Sequence, residues 1–100
     1  MADATIVLST DEINNLVSQK IPGWIYNDEK KCLQRLVEFK GYYKTISFVN
    51  TLAFYANKKV HHPDLHVTYK TCLVEFTTHD SGGVTQKDIE MAEIVNDILS

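Results

Sequence analysis

The 100-residue chain is long enough for one modest hydrophobic core and too short for a second, so we expect a single domain over residues 1–100. Its net charge of −3 argues against direct nucleic-acid binding, because phosphate recognition needs a concentrated basic face. No apolar run approaches the roughly 20 residues of a membrane helix, and the N-terminus lacks the pattern of a signal peptide.

The first third of the sequence predicts a helix and a hairpin. Ser9 and Glu12 have the spacing of a capping box at a helix start, and the segment 21–23, Ile-Pro-Gly, ends that helix. A short strand over residues 24–26 and a longer one over 32–39 then flank a polar turn.

The second helix is predicted from Thr45 to Asn57 and has two apolar stripes. One stripe consists of Ile46, Val49, Ala53 and Ala56, and the other of Phe48, Leu52 and Tyr55. One face of a sheet can bury only one of these two apolar stripes, which favours a homotetramer or homodimer that buries the other. We expect the second stripe to remain exposed for a partner.

The C-terminal part predicts two strands, over residues 65–69 and 72–76, with their turn at residues 69–72. Asp80-Ser81-Gly82-Gly83 breaks the sheet, and Thr85 with Asp88 opens the last helix. The order is therefore αββαββα. This order predicts an α+β fold, a four-stranded antiparallel sheet with three helices packed on one face.

The two cysteines, Cys32 and Cys72, form neither a CxxC pair nor a metal-ligand spacing. Both lie in strand-like segments, so we expect buried, reduced thiols. This is typical of a cytoplasmic protein; a nuclear location is compatible with the same features.

All four histidines lie between residues 61 and 79. In an antiparallel hairpin, the start of one strand lies beside the end of its partner, so His61 and His62 should meet His79 at one end of the sheet. Pro63 biases His62 toward an extended backbone, which aims the imidazoles through the main chain. We expect His66, further along the strand, to be exposed.

Three converging imidazoles leave three interpretations open. They can act as acid and base near neutral pH, where an unperturbed imidazole titrates at about 6.5. They can bind a metal, since zinc sites commonly use three histidines, although no carboxylate or cysteine apart from Asp64 and Asp80 lies at an obviously cooperating position. They can also be polar edge residues without a joint role.

The pattern resembles the pterin-4a-carbinolamine dehydratase family. The residues that carry the resemblance are His61-His62-Pro63, Tyr69, Thr78-His79, Gly83 and Asp88, with Trp24, Phe39 and Phe48 upstream. It implies a hydro-lyase of tetrahydrobiopterin recycling that converts 4a-hydroxytetrahydrobiopterin to quinonoid dihydrobiopterin and water, with neither metal nor organic cofactor.

The resemblance also implies roles for individual residues. His61, His62 and His79 would be catalytic, with His62 favoured as base and His79 as acid. The pterin pocket would be lined by Pro63, Thr78, Asp80 and Ser81. Trp24 either stacks near the pterin or anchors the core. Asp88 either orients a histidine or interacts with the helix dipole.

The chain departs from vertebrate members of the family at Asn57 and Val60, which replace acidic residues, and at Leu65, which replaces tryptophan. Neither Asn57 nor Val60 can therefore supply the carboxylate that these positions supply in vertebrate members. Some relatives also act as dimerisation cofactors of a transcription factor, and this is the alternative function. A docking role should fail when Phe48 or Leu52 is altered, whereas an enzyme should fail when His61 or His62 is replaced.

Overall fold

The computed structural model describes residues 5–100, and the elements follow the predicted αββαββα order. The helices are α1 (Thr10–Lys20), α2 (Tyr42–Lys59) and α3 (Gln86–Leu99). The strands are β1 (Ile25–Asn27), β2 (Cys32–Glu38), β3 (Asp64–Val67) and β4 (Thr71–Phe76), and a short 3₁₀ turn covers His79–Ser81. Among the described residues, no helix has the length and apolar character needed to cross a bilayer.

The four strands form one antiparallel sheet in the order β1-β2-β4-β3. Strand β4 lies in the interior, with Phe76 opposite Leu33 on β2 and Val74 opposite Leu65 on β3. Strand β3 is at the edge. The predicted hairpin between β3 and β4 is confirmed, and it brings the start of β3 to the end of β4.

One face of the sheet packs against the helices in a single hydrophobic core. The buried side chains of this core include Ile13, Ile21, Leu33, Phe48, Leu52, Val74, Phe76, Ile89 and Val95. The opposite face is open, and Ile25 and Leu36 are 62% and 59% exposed there. The predicted layer arrangement, with three helices on one face, is confirmed.

Helix α2 begins at Tyr42, three residues before the predicted start at Thr45. Thr45 is buried, and its hydroxyl donates to the carbonyls of Gly41 (3.0 Å) and Tyr69 (3.1 Å). These hydrogen bonds join the first turn of α2 to the β3–β4 turn. The apolar stripes that predicted the helix begin at Ile46, so they did not mark its first turn.

The turn between β3 and β4 lies one residue earlier than predicted, since β3 ends at Val67 and β4 begins at Thr71. The Thr71 amide donates to the Thr68 hydroxyl at 3.2 Å, and the Thr68 amide donates to the Thr71 carbonyl at 2.9 Å. These bonds close the loop tightly and leave Thr71 in the ladder, paired with Glu38.

The prediction that Phe48 and Leu52 are exposed on α2 is wrong. Both face the sheet, 5% and 0% exposed, because Thr45, Phe48, Leu52 and Ala56 recur at three- and four-residue intervals on one side of the helix. The exposed aromatics on this helix are Tyr42, Tyr43, Phe54 and Tyr55, and Phe54 is 63% exposed. Altering Phe48 or Leu52 would therefore damage the core and would not test docking.

Candidate active site

The C-terminus of α2 positions the histidine pair. Val60 adopts the left-handed conformation, with φ 54° and ψ 41°, and its amide donates to the Asn57 carbonyl at 3.2 Å. The His61 amide donates to the Ala56 carbonyl at 3.1 Å, which completes a Schellman motif. The chain therefore turns sharply at Val60, and His61 and His62 lead directly into β3.

Two contacts fix the imidazole of His61. Its ring stacks on Phe76 at the end of β4, with centroids 6.1 Å apart and planes 14° apart. Its Nε2 lies 2.5 Å from Oδ1 of Asp88 on α3. Only 13% of the His61 side chain is exposed, so the ring is held between the sheet and the helix.

The carboxylate of Asp88 is completely buried and fully hydrogen-bonded. Oδ2 accepts from the Thr78 hydroxyl at 2.8 Å and from the Thr85 amide at 2.9 Å, while Oδ1 contacts His61. A carboxylate can only accept, so Nε2 of His61 donates, and Nδ1 is the acceptor of the neutral ring.

The two alternatives for Asp88 are thus realised together, since it caps α3 and orients a histidine. A carboxylate does lie beside the histidine pair, and it belongs to Asp88. Asn57 and Val60 contribute none, but α3 brings Asp88 to His61 from 27 residues further along the chain.

The segment after β4 presents His79 to the same end of the sheet. Thr78 and Gly83 form an isolated bridge, in which the Thr78 amide donates to the Gly83 carbonyl at 3.0 Å. Between them the 3₁₀ turn ends at Gly82, whose φ of 83° suits glycine. The bridge fixes the base of the turn, and His79 is its first residue.

A cavity of about 300 Å³ opens at this end of the sheet. It is lined by Val60, His61, His62, Thr77, Thr78, His79, Asp80 and Lys87. The three histidines predicted to converge therefore line the same cavity. His62 and His79 are exposed, and within residues 5–100 neither ring has a hydrogen-bond partner, so both can contact a bound molecule.

Other predicted pocket residues lie away from the cavity wall. Pro63 and Ser81 do not line the cavity, and Asp88 lies behind His61. Trp24 is 2% exposed; it packs on Phe76 at 6.0 Å and donates from Nε1 to Oδ1 of Asn96 at 2.8 Å. Of the two roles considered for Trp24, the structure therefore shows the one in which it anchors the core.

Sequence reasoning missed three lining residues, Val60, Thr77 and Lys87, of which Lys87 is the charged one. It precedes Asp88 in the first turn of α3, where a solvent-facing lysine carries no motif signal. Among residues 5–100, no group of three or more His, Cys, Asp or Glu side chains is placed to hold a metal ion.

His66 lies outside the cavity, on the open face of the sheet. Its Nε2 is 3.1 Å from Oε1 of Glu75, and its side chain is 61% exposed. Glu75 also accepts from Gln34 and lies 3.7 Å from Nζ of Lys30. The Gln34 hydrogen bond, followed by His66 and Lys30, lowers the pKa of Glu75 despite its burial.

Comparison with known proteins matches this chain to one family. The model of the family described as pterin 4 alpha carbinolamine dehydratase matches residues 6–98. A Legionella pneumophila protein named "Putative pterin-4-alpha-carbinolamine dehydratase" is 37% identical over 92 residues, which are 92% of this chain and 81% of the relative. A Nitrosomonas eutropha protein of the same name is 39% identical over 92 residues, 92% of this chain and 80% of the relative.

The fold is also similar to a solved structure. The crystal structure of a transcriptional coactivator/pterin dehydratase from Brucella melitensis superimposes with a TM-score of 0.88 at 32% identity. The match covers 94% of this chain and 99% of the Brucella chain. The likeness therefore spans the whole domain, including the end of the sheet that carries the histidines.

Proposed function

This chain belongs to the pterin 4 alpha carbinolamine dehydratase family, and on that premise we propose that it dehydrates 4a-hydroxytetrahydrobiopterin to quinonoid dihydrobiopterin. The observation that carries the proposal is the single cavity lined by His61, His62 and His79. Two free cysteines and the resemblance to a recycling enzyme fit action in the cytoplasm.

The reaction needs one proton removed and one proton delivered. N5 of the pterin loses its proton, its electron pair forms the double bond to C4a, and the C4a–O bond breaks. The departing oxygen takes a proton and leaves as water, so no electrons are exchanged with the protein. Imidazole serves both steps because its neutral and protonated forms coexist near pH 7.

We assign the proton transfers to the exposed imidazoles, with His62 as base at N5 and His79 as acid at the hydroxyl. Both rings reach the cavity with their nitrogens free of protein partners in the described chain. His61 is the fixed member, since Asp88 and Phe76 hold its ring and direct Nδ1 away from the buried carboxylate. Thr78 and Asp80 supply polar groups to the pocket wall.

The test is stopped-flow absorbance of 4a-hydroxytetrahydropterin decay, with the substrate generated in situ. The His62→Ala and His79→Ala variants should each lower kcat by about 10²–10⁴-fold, which is the usual contribution of a placed acid or base. Wild-type protein that leaves the uncatalysed decay unchanged would refute the dehydratase proposal.

His66→Ala is the matched control. It removes the fourth imidazole of the chain, which lies on the open face and pairs with Glu75. We expect its dehydration rate to equal that of the wild type. A loss as large as that of His62→Ala would mean that the assay reports folding rather than proton transfer.

A second function, as a dimerisation cofactor of a transcription factor, is favoured by the coactivator name of the Brucella protein and by the exposure of Phe54. In this proposal the outer face of α2 builds a homotetramer or docks the partner, and the active site is not needed. Phe54→Lys should lower the molar mass in light scattering while dehydration of the pterin persists. An unchanged molar mass would show that the outer face of α2 takes no part in assembly.

A further inference from the structure

A second cavity, of about 200 Å³, adjoins the histidine cavity between the end of α2 and the start of α3. It is lined by Lys59, His61, Lys87, Glu90 and Met91. His61 and Lys87 line both cavities, so these two side chains form the shared wall. The proposed dehydration accounts for the first cavity and leaves the second without a role.

The order of atoms in a pterin links the two cavities. C4a, N5 and C6 are consecutive ring atoms, so a ring that offers C4a and N5 to the histidines carries its C6 substituent directly beside them. His61 and Lys87 separate the first cavity from the second. A C6 substituent that passes between these two side chains enters the second cavity.

Charge indicates which substituents the second cavity favours. Lys59, the last residue of α2, and Lys87, in the first turn of α3, contribute two ammonium groups against the one carboxylate of Glu90. Met91 is 1% exposed and provides an apolar surface beneath them. Two lysines over an apolar floor suit a short carbon chain that ends in an anion.

We propose that the second cavity binds the C6 side chain of the pterin and prefers an anionic one, such as a phosphate ester or a carboxylate. The inference rests on the proposed function, because it requires the ring to occupy the histidine cavity. It makes Lys59 a specificity-determining residue, remote from the reacting atoms.

The experiment compares two stable ligands that differ only by the phosphate group on the C6 substituent, 6-hydroxymethyl-7,8-dihydropterin and its monophosphate ester. Their dissociation constants are measured by calorimetry at low salt with wild type, Lys59→Gln and Lys58→Gln. Lys58 is the matched control, since it lies in the same last turn of α2 and lines neither cavity.

We expect the phosphate ester to bind wild type about three- to tenfold more tightly than the alcohol, the scale of a few partly exposed ion pairs. Lys59→Gln should bring this ratio below about twofold, and Lys58→Gln should leave it as in wild type. The ratio should also shrink as salt rises, because exposed charges are screened.

The outcomes separate the two proposals. Equal wild-type affinities for the two ligands, or a ratio that Lys59→Gln does not lower, would overturn the anionic subsite while leaving a pterin site intact. An equal loss in Lys58→Gln would assign the effect to general charge and overturn it as well. If neither ligand binds, the pterin site itself is refuted, and the subsite with it.

Discussion

Oδ1 of Asp88 lies 2.5 Å from Nε2 of His61, and the same carboxylate accepts the Thr85 amide at the N-terminus of α3. One buried group therefore joins the start of the last helix to the end of α2. Because it receives hydrogen bonds at both oxygens, its removal affects the orientation of the imidazole and the cap of the helix together.

Asp88→Asn tests this double role. The amide can turn its NH₂ toward His61, which would force Nε2 to accept and reverse the tautomer of the ring. We expect kcat to fall about ten- to a hundredfold, the usual effect of losing a partner that orients a functional side chain. Nitrogen NMR of the His61 ring should show the proton moving from Nε2 to Nδ1.

Asp97→Asn is the control for Asp88→Asn, since Asp97 is an exposed carboxylate on the same helix. It should leave both the rate and the His61 spectrum unchanged. A wild-type spectrum with the proton on Nδ1 would contradict the role of Asp88, whatever the rate of the variant.

Val60→Gly should stabilise the fold. The left-handed φ of 54° is costly for a β-branched residue, and Val60 is 79% exposed, so little packing is lost. After the greater unfolded-state entropy of glycine is subtracted, we expect a gain of about 0.5–1 kcal/mol in the free energy of unfolding, measured with urea.

Val67→Gly provides the contrast to Val60→Gly, because Val67 is an exposed valine in the extended backbone of β3. It should lose stability for the reason that glycine weakens any strand. Equal destabilisation by both changes would show that the left-handed backbone at Val60 does not lower the free energy of unfolding.

Glu75 should make stability depend on pH in the acid range. Its pKa is lowered in the fold, so it stabilises the protein above its ordinary value of 4.5, and this contribution is lost as the pH falls through the folded pKa. At pH 7, Glu75→Gln should cost about 1–3 kcal/mol in urea unfolding. The difference from wild type should shrink steadily below pH 4.5; a constant difference would contradict this account.

Cys32 should be unreactive in the folded protein. Burial, and then the neighbouring carboxylate of Glu75, raise the pKa of its thiol to about 11. At pH 8.5 iodoacetamide should label Cys32 at least about tenfold more slowly than in urea-unfolded chains, as measured by peptide mass spectrometry. Glu75→Gln should speed the labelling, and rapid labelling of the native wild type would refute the prediction.

The sequence predicts the element order and the meeting of the histidines because both depend on local patterns. Apolar periodicity places the strands, and hairpin geometry alone brings His61 and His79 to one end of the sheet. The contact of Asp88 with His61 depends on where α3 crosses the sheet, and no local sequence pattern predicts that crossing. The same holds for Lys87, whose position on the cavity follows from the docking of its helix.

The rotation of α2 shows a different limit. Its two apolar stripes gave no means to decide which one faces the sheet, and the choice of Phe48 and Leu52 as the exposed side was wrong. In the structure the side with Phe48 and Leu52 faces the sheet, and Thr45 on the same side donates from its hydroxyl to the Tyr69 carbonyl. The two large apolar side chains and the hydrogen bond therefore favour the same rotation of the helix.

The histidine pair enters the sheet through β3, the edge strand, which is held by a single neighbour, β4, in the described sheet. The four residues of β3 are mostly exposed, and segments with few buried apolar contacts are the ones that open most readily in native-state hydrogen exchange. Each such opening would carry His62 away from His79 while the core remains folded. The rate of the proposed dehydration would then fall at a lower denaturant concentration than the one that unfolds the helices. Hydrogen exchange of the β3 amides would detect the same opening.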